Sequence, residues 1–518
     1  MTPAEEQDPL KTSGSGPLPP AGETAPEQLS PEIFQHFRWS FPLLFLLLAA
    51  VNFDSLTTPP FWDDLIGVQT QAVFLARNHL SISALLNAPR LGEGHAACYY
   101  LPSVLSWFYA LLYLFLSPVA VHCIGHLLSC AFLAAAGGLF LELTRRKLAP
   151  EIAVCGVIFA LTHPLLAARA AGMDQEALLA FFVMLTLFFW NRHGKKTAFV
   201  CSLCSLTVKL TGAILVFGIF AKQLEVLLRT RNKKRVLQLA GLGLAAAAVL
   251  GLYFLHFGTA KKLIVWKPGE VGHLLKNAYY LLLPEFLLAT GLILFRKRPC
   301  ARPLHPRLFF AVIAIFYAAN FLSGQYALPR YGAIIVLPTA FTVLAALQAF
   351  SPRKVMALLG TLSVLNIFCC FGFLLPEIPK LDRHNGSLLE RSLEFTELRR
   401  DYQNFCAELE KNPPEMPLVV TWPLLQMLTV PEFGNVKAPV PNIVVGENPH
   451  PLGHIRSLNR EMLEKGVLVL FEPNPNSWKI PARAKIVYAS EPEDPLSGFL
   501  IYRYTLPEKP SVPSPASK

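Results

Sequence analysis

Between Phe41 and Leu375 apolar runs of roughly 20 residues recur, the length a helix needs to cross the hydrocarbon core of a bilayer. Few folds are open to such a chain. Only 16% of its 518 residues are charged and 53% are hydrophobic, against about 25% charged in a soluble domain. The expectation is an α-helical polytopic membrane protein.

The basic residues fix the orientation. Arg145, Arg146 and Lys147 follow one run; Arg192, Lys195 and Lys196 follow the next pair. Further clusters lie at Arg229 to Arg235, Arg296 to Arg298, and Arg353 with Lys354. Each gap between clusters holds an apolar stretch long enough for two spans. All the clusters can then share one side, which the positive-inside rule makes cytoplasmic. The net charge of +11 is therefore a topology signal, and no nucleic-acid partner is expected. Pro102 to Ser117 is short, aromatic and bracketed by prolines, so it reads as an interfacial or re-entrant helix. About eleven spans follow: near 39–56, 118–143, 149–167, 175–191, 197–210, 212–228, 236–256, 279–295, 308–323, 330–350 and 355–375. This puts the N-terminus in the cytoplasm and the C-terminus outside, with the first span kept as an anchor.

The domain reading follows. Residues 1–35 form a disordered cytoplasmic tail, 36–375 the transmembrane domain with a first outer loop over 54–117, and 507–518 a disordered Pro/Ser-rich tail. Residues 376–506 read as an extracytoplasmic α/β domain. Strands are expected at 416–421, 467–471, 485–488 and 499–502, and helices at 393–409 and 455–465. The 10 cysteines make no framework. Cys201 and Cys204 form a CxxC inside an apolar helix with no second pair at zinc spacing, while Cys98 and Cys406 are expected in exposed segments.

Three loops then face outward together. The first holds Asp54, Asp63, Asp64, Glu93 and His95; the second Arg169 and Asp174; the third Gln325, Tyr326, Arg330 and Tyr331. Within the first, Leu65, Val68, Ala72, Leu75 and Ala76 recur at helical spacing, an imperfect amphipathic helix expected to lie on the surface. Taken singly, each polar residue has an ordinary explanation. Asp174 can cap the helix starting at Gln175, Arg169 can anchor at the interface, Lys209 can snorkel, and His95 can be a plain loop residue. These roles leave the gathering of charge on one face unexplained. Arginine grips phosphate through its planar fork. A carboxylate can take a proton from an acceptor hydroxyl, or hold a divalent metal against phosphate. Together they suit group transfer from a lipid phosphate.

The motifs resemble the lipid-phosphate-dependent glycosyltransferases of the C superfold, the group containing protein O-mannosyltransferases and the aminoarabinose transferase of lipid A. The acidic pair of that family is similar to Trp62-Asp63-Asp64, and its surface helix to Gln71 through Arg77. Glu93 to Leu101 resembles its Tyr-Tyr segment, with Ala96-Ala97-Cys98 where a Lys-Pro-Pro often stands. Thr162-His163-Pro164-Leu165 with Arg169 and Asp174 is similar to its Ser-Pro-Leu…Arg…Asp segment. Val208-Lys209-Leu210-Thr211-Gly212 resembles its Leu-Thr-Lys-Gly, and Arg330-Tyr331 with Pro338 its Arg-Tyr and following proline.

The resemblance, over roughly residues 40 to 350, implies a glycosyltransferase of this fold, taking a sugar from a polyprenyl-phosphate carrier to a lipid, glycan or protein acceptor. Asp63 is the expected base, assisted by Asp64 and Asp174. Arg330, Arg169 and Lys209 are expected on the leaving phosphate, with Tyr331, His95 and Tyr99 lining the substrate. No cofactor is certain; a divalent metal is left open, and a bacterial inner membrane is the expected location. The alternative is a transporter or flippase of lipid-linked sugars, which needs the phosphate grip but no base. Such proteins often show internal repeats, and none is visible.

Overall fold

A computed structural model describes residues 35–61, 64–86, 103–173, 175–192, 194–231, 233–257, 282–295, 304, 306–323, 329–371, 393, 395–420, 423–445, 467–471, 485–489 and 500–504. The expected helix at 455–465 and both terminal tails lie outside them.

The helices follow the apolar runs. They are α1 (Phe37–Val51), α2 (Thr70–Arg77), α3 (Ile82–Leu86), α4 (Val104–Phe115), α5 (Pro118–Arg145), α6 (Pro150–Leu161), α7 (Pro164–Ala170), α8 (Gln175–Asn191) and α9 (Lys195–Val208). Then come α10 (Ala213–Thr230), α11 (Lys233–Phe257), α12 (Leu283–Leu294), α13 (Arg307–Ser323), α14 (Ala333–Leu347) and α15 (Pro352–Cys370). Each expected span contains a helix. As single helices, however, only α5, α15 and the α10 segment from Leu210 are long and apolar enough to cross a membrane. The bent α6–α7 pair is a fourth if counted as one span. Most of the others are apolar but shorter.

Helix α5 is the axis of the bundle, packing against α1, α6 and α8. Its start is set by Ser117, whose hydroxyl accepts the Ala120 N–H, and by Pro118 in the first turn, where a missing N–H costs nothing. At its other end the buried Glu142 accepts the His36 N–H at 3.2 Å and faces Arg146 and Arg192, each 3.7 Å away.

The span expected over 149–167 is not one straight helix. It breaks between α6 and α7 with a bend of 71°. The cause is Pro164, which pushes His163 into an extended conformation and removes a helical donor. His163 then caps α7, its Nδ1 accepting the Leu165 N–H.

The helix expected to lie on the surface is instead buried. A π-helical turn, Leu65–Gln69, runs into α2, and Leu65, Val68, Gln69, Thr70, Gln71, Ala72, Val73 and Leu75 are all enclosed. Helix α4 covers one side: the Ser106 hydroxyl donates to Gln71 Oε1 and the Tyr113 hydroxyl to Gln69 Oε1, both at 2.9 Å. These two bonds satisfy the side-chain oxygens of Gln71 and Gln69, while Gln69 Nε2 is buried without a partner.

The C-terminal segment covers the other side. It contributes α16 (Phe395–Lys411), α17 (Leu424–Thr429) and one five-stranded sheet of β1 (Leu418–Val420), β2 (Ile443–Val445), β3 (Val467–Phe471), β4 (Lys485–Ala489) and β5 (Leu500–Tyr504). The order is β2-β1-β3-β5-β4; β1 runs parallel to β2 and β3, and β5 antiparallel to β3 and β4. Four of the strands lie where alternation placed them; the three-residue β2 carries too little pattern to be read. Phe61, Leu65, Val73, Ala168 and Ala171 join Phe395, Tyr402, Phe405, Leu424 and Phe433 in a second apolar core. Cys406, expected in an exposed segment, is fully buried in it, because α16 turns that face toward the sheet and α17.

Candidate functional site

The acidic loop is held from three directions. Its last residue, Asp64, accepts the Met173 N–H on Oδ2 at 3.1 Å, a bond to the connection between α7 and α8. Met173 reaches this place because residue 125 of α5 is glycine: a Cβ there would stand 2.3 Å from Met173 Cε and 3.1 Å from the Tyr109 hydroxyl. From α5, His126 Nε2 meets the Thr58 carbonyl at 3.1 Å. From α16, Arg399 donates through Nη2 to the Ser55 hydroxyl at 3.3 Å. Arg399 is 4% exposed. Burial lowers its guanidinium to about 10, the Asp64 carboxylate works the other way, and Arg400 adds to the lowering. Arg399 is therefore still a cation at neutral pH. Phe61, in the same loop, packs edge-on against Tyr402 of α16, 5.1 Å between centroids.

A second polar centre lies between α8 and α9. Lys209 pairs with Glu176, the second residue of α8, which is 3% exposed. The Lys209 ammonium also stands 4.9 Å from the centroid of Tyr331, a cation–π distance. The local fold explains this geometry. Helix α9 ends at Val208, Lys209 is extended, and Leu210–Gly212 makes a 3₁₀ turn that folds back on α9. A Cβ on Gly212 would sit 2.3 Å from the Ser205 carbonyl oxygen, so only glycine fits. The Ser205 hydroxyl closes the turn by donating to the Gly212 carbonyl at 3.1 Å.

The two centres share one short connection. Arg169, buried at 4%, ends α7; Met173 holds Asp64 and Glu176 holds Lys209. Met173 and Glu176 are three residues apart, so their Cα atoms stand within about 11 Å. Helix α7 packs against both α8 and the 3₁₀ turn Pro329–Gly332, which carries Arg330 and Tyr331. Of the residues singled out in the sequence, the structure thus brings Lys209 and Tyr331 into contact and ties Asp64 to the segment bearing Arg169. Asp63, Asp174, His95, Tyr99 and the Arg330 side chain lie outside the described residues. Among the described residues no three His, Cys, Asp or Glu side chains stand together as metal ligands.

Sequence reasoning missed Arg399, Glu176 and His126. Glu176 carried a faint signal, an acid in the first turn of an apolar helix next to Asp174. His126 lies four residues after His122 on α5, a spacing that places both on one helix face. Arg399 carried none, since it sits in an ordinary charged helix.

No family model matches the sequence, and no curated protein matches it. Among solved structures the chain is similar to ArnT from Cupriavidus metallidurans bound to undecaprenyl phosphate, with a TM-score of 0.49, 14% identity, and cover of 89% of this chain and 98% of that one. The apo state of the same protein gives a TM-score of 0.45 at 14% identity, with 89% and 97% covered. Similarity at this level is one of general outline.

Proposed function

We propose that this chain is an integral-membrane glycosyltransferase that moves a sugar from a polyprenyl-phosphate carrier to a lipid, glycan or protein acceptor at the outer face of the membrane. One observation carries the reading. The connection from Arg169 to Glu176 ties a carboxylate centre at Asp64 to the centre that holds Lys209. Sugar transfer from a lipid phosphate needs both at once: a base for the acceptor and cations for the phosphate that leaves. The motif resemblance assigns the same division of labour to the same loops.

In this reading Asp63 takes the acceptor proton and Asp64 fixes the loop. Lys209, Arg169 and Arg330 hold the leaving phosphate. Tyr331 packs on the Lys209 ammonium, and Glu176 neutralises it until the anionic donor arrives. His95 and Tyr99 are assigned to substrate binding by the motif resemblance alone. Asp64 and Asp174 would assist through the acceptor, a divalent metal or a neighbouring cation, and metal dependence is left open. The proposed location is a bacterial inner membrane, with the N-terminus cytoplasmic and the sheet-bearing C-terminal domain periplasmic.

The test is binding of undecaprenyl phosphate to the purified protein, read by thermal shift or native mass spectrometry. Micromolar or tighter binding that weakens in Arg169→Ala is the expected result. Binding that is absent, or unchanged in Arg169→Ala, would remove the phosphate centre from the proposal.

A further inference from the structure

The acidic loop is completed by a residue from the far end of the chain. Arg399 and Ser55 are 344 positions apart, yet the guanidinium reaches the Ser55 hydroxyl with both residues buried. Tyr402, one helical turn later on α16, packs against Phe61 at the other end of the same loop. The two contacts grip the loop on either side of the Pro59-Pro60 step. Arg399 itself is held by Phe395, its guanidinium carbon 5.6 Å from the ring centroid.

We infer that Arg399 is a positioning residue of the acidic loop: carried in by α16, it holds the Ser55–Asp64 turn in place and so sets where the loop's carboxylates stand. The C-terminal domain is then part of the catalytic frame. It does not react; it fixes the geometry of what does. A fixed cation suits this job because its planar fork can hold the hydroxyl and still face the carboxylate. A displacement of the loop by about 1 Å is enough to cost turnover heavily. The effect on turnover rests on the glycosyltransferase reading; the placement of the loop does not.

The experiment is hydrogen exchange on the full-length protein in nanodiscs, comparing wild type with Arg399→Gln, Arg399→Lys and Ser55→Ala. The Met173 amide is the reporter, because its N–H is the one that Asp64 accepts. In Arg399→Gln, exchange in the peptide over 171–173 and in the peptide over 55–61 should rise by about tenfold or more, while α5 and α8 stay protected. Arg399→Lys should restore part of the protection, since it keeps the charge. Arg77→Gln cuts another tie to the C-terminal domain, the pair with Glu432, and should leave the 171–173 peptide unchanged.

The catalytic arm measures consumption of a synthetic undecaprenyl-phosphate-linked sugar by membranes. Arg399→Gln should lower kcat with little change in KM, and Asp64→Asn combined with Arg399→Gln should be no worse than Asp64→Asn alone. Wild-type exchange at 171–173 in folded Arg399→Gln overturns the inference. If that variant does not fold, wild-type exchange in both Arg399→Lys and Ser55→Ala overturns it equally. Altered exchange with no sugar consumed even by wild type upholds the placement and sinks the glycosyltransferase reading.

Discussion

A carboxylate is held near each end of helix α5, the buried Glu142 at one and the half-buried Asp64 at the other, and the two are handled differently. At the end that carries Arg145, Glu142 is ringed by Arg146 just past its own helix, Arg192 just past α8 and the His36 amide just before α1. Every partner is a residue of the bundle, in or beside a basic cluster. At the other end, Asp64 is held by the Met173 amide and lies in the field of Arg399, and the loop also leans on His126. These partners come from a kinked connection, from α5 and from α16 in the C-terminal segment. The first arrangement closes on itself as a clasp between helices. The second is assembled from distant parts around a loop, and the connection that holds Asp64 leads to Glu176, the partner of Lys209. Burying charge is costly, and Glu142 is the more deeply buried of the two.

The contrast can be broken by substitution. The largest effect is expected for Lys209→Ala, which strands Glu176 in a buried site. Breaking such a pair costs about 3–5 kcal/mol, and undecaprenyl phosphate affinity should fall by about tenfold or more in whatever protein remains folded. Calorimetry and lipid binding on the same preparation read both. Glu142→Gln, at the Arg145 end, should cost about 3 kcal/mol because Arg192 loses its counter-charge. Its affinity for undecaprenyl phosphate should not change, and a loss of affinity there would erase the distinction between the two ends.

Gly212→Ala drives a Cβ into the backbone of Ser205. A cost of about 1–3 kcal/mol is expected, together with weaker lipid binding as Lys209 is displaced; normal binding would separate Lys209 from the site. The smallest effect belongs to Arg77→Ala. Arg77 donates Nε and Nη2 to the Glu432 carboxylate, both at 2.6 Å, but the pair is half exposed and should contribute less than about 1 kcal/mol. Burial raises the Glu432 carboxyl, and the bonds from Arg77 outweigh it, leaving the group below its ordinary 4.5. The contribution is therefore complete above the unfolded value and is lost as pH falls through the lower folded one. Thermal scans from pH 6 to 3 should show the difference between wild type and Arg77→Ala vanishing at the acid end.

How much of this could be read in the sequence follows the same division. The helices of the bundle were legible because the apolar runs record them: each expected span contains a helix. Lys209 was legible as a charge at the end of a short hairpin, and Gly212 explains why the hairpin turns there. The burial of α2 was not legible. Its pattern is that of a half-exposed helix, and among the described residues α4 and the C-terminal segment, far along the chain, supply the cover. Cys406 and Arg399 failed for the same reason: each sits in a charged helix whose inner face is decided by a tertiary partner. The bend at Pro164 could have been anticipated, since a proline inside an apolar run ends a helix at the residue before it.

The most direct measurement compares the two ends of α5 in the membrane. Mass spectrometry of glycolipids and surface glycans would be run on cells carrying wild type, Asp63→Asn or Glu142→Gln, with the folded protein quantified in each. In Asp63→Asn, product formed per folded molecule should fall by about 10²–10⁴-fold, the usual worth of a general base. In Glu142→Gln it should follow the amount of folded protein and nothing else. Full product formation in Asp63→Asn, or a loss in Glu142→Gln at normal protein level, would contradict the assignment of chemistry to the outer end.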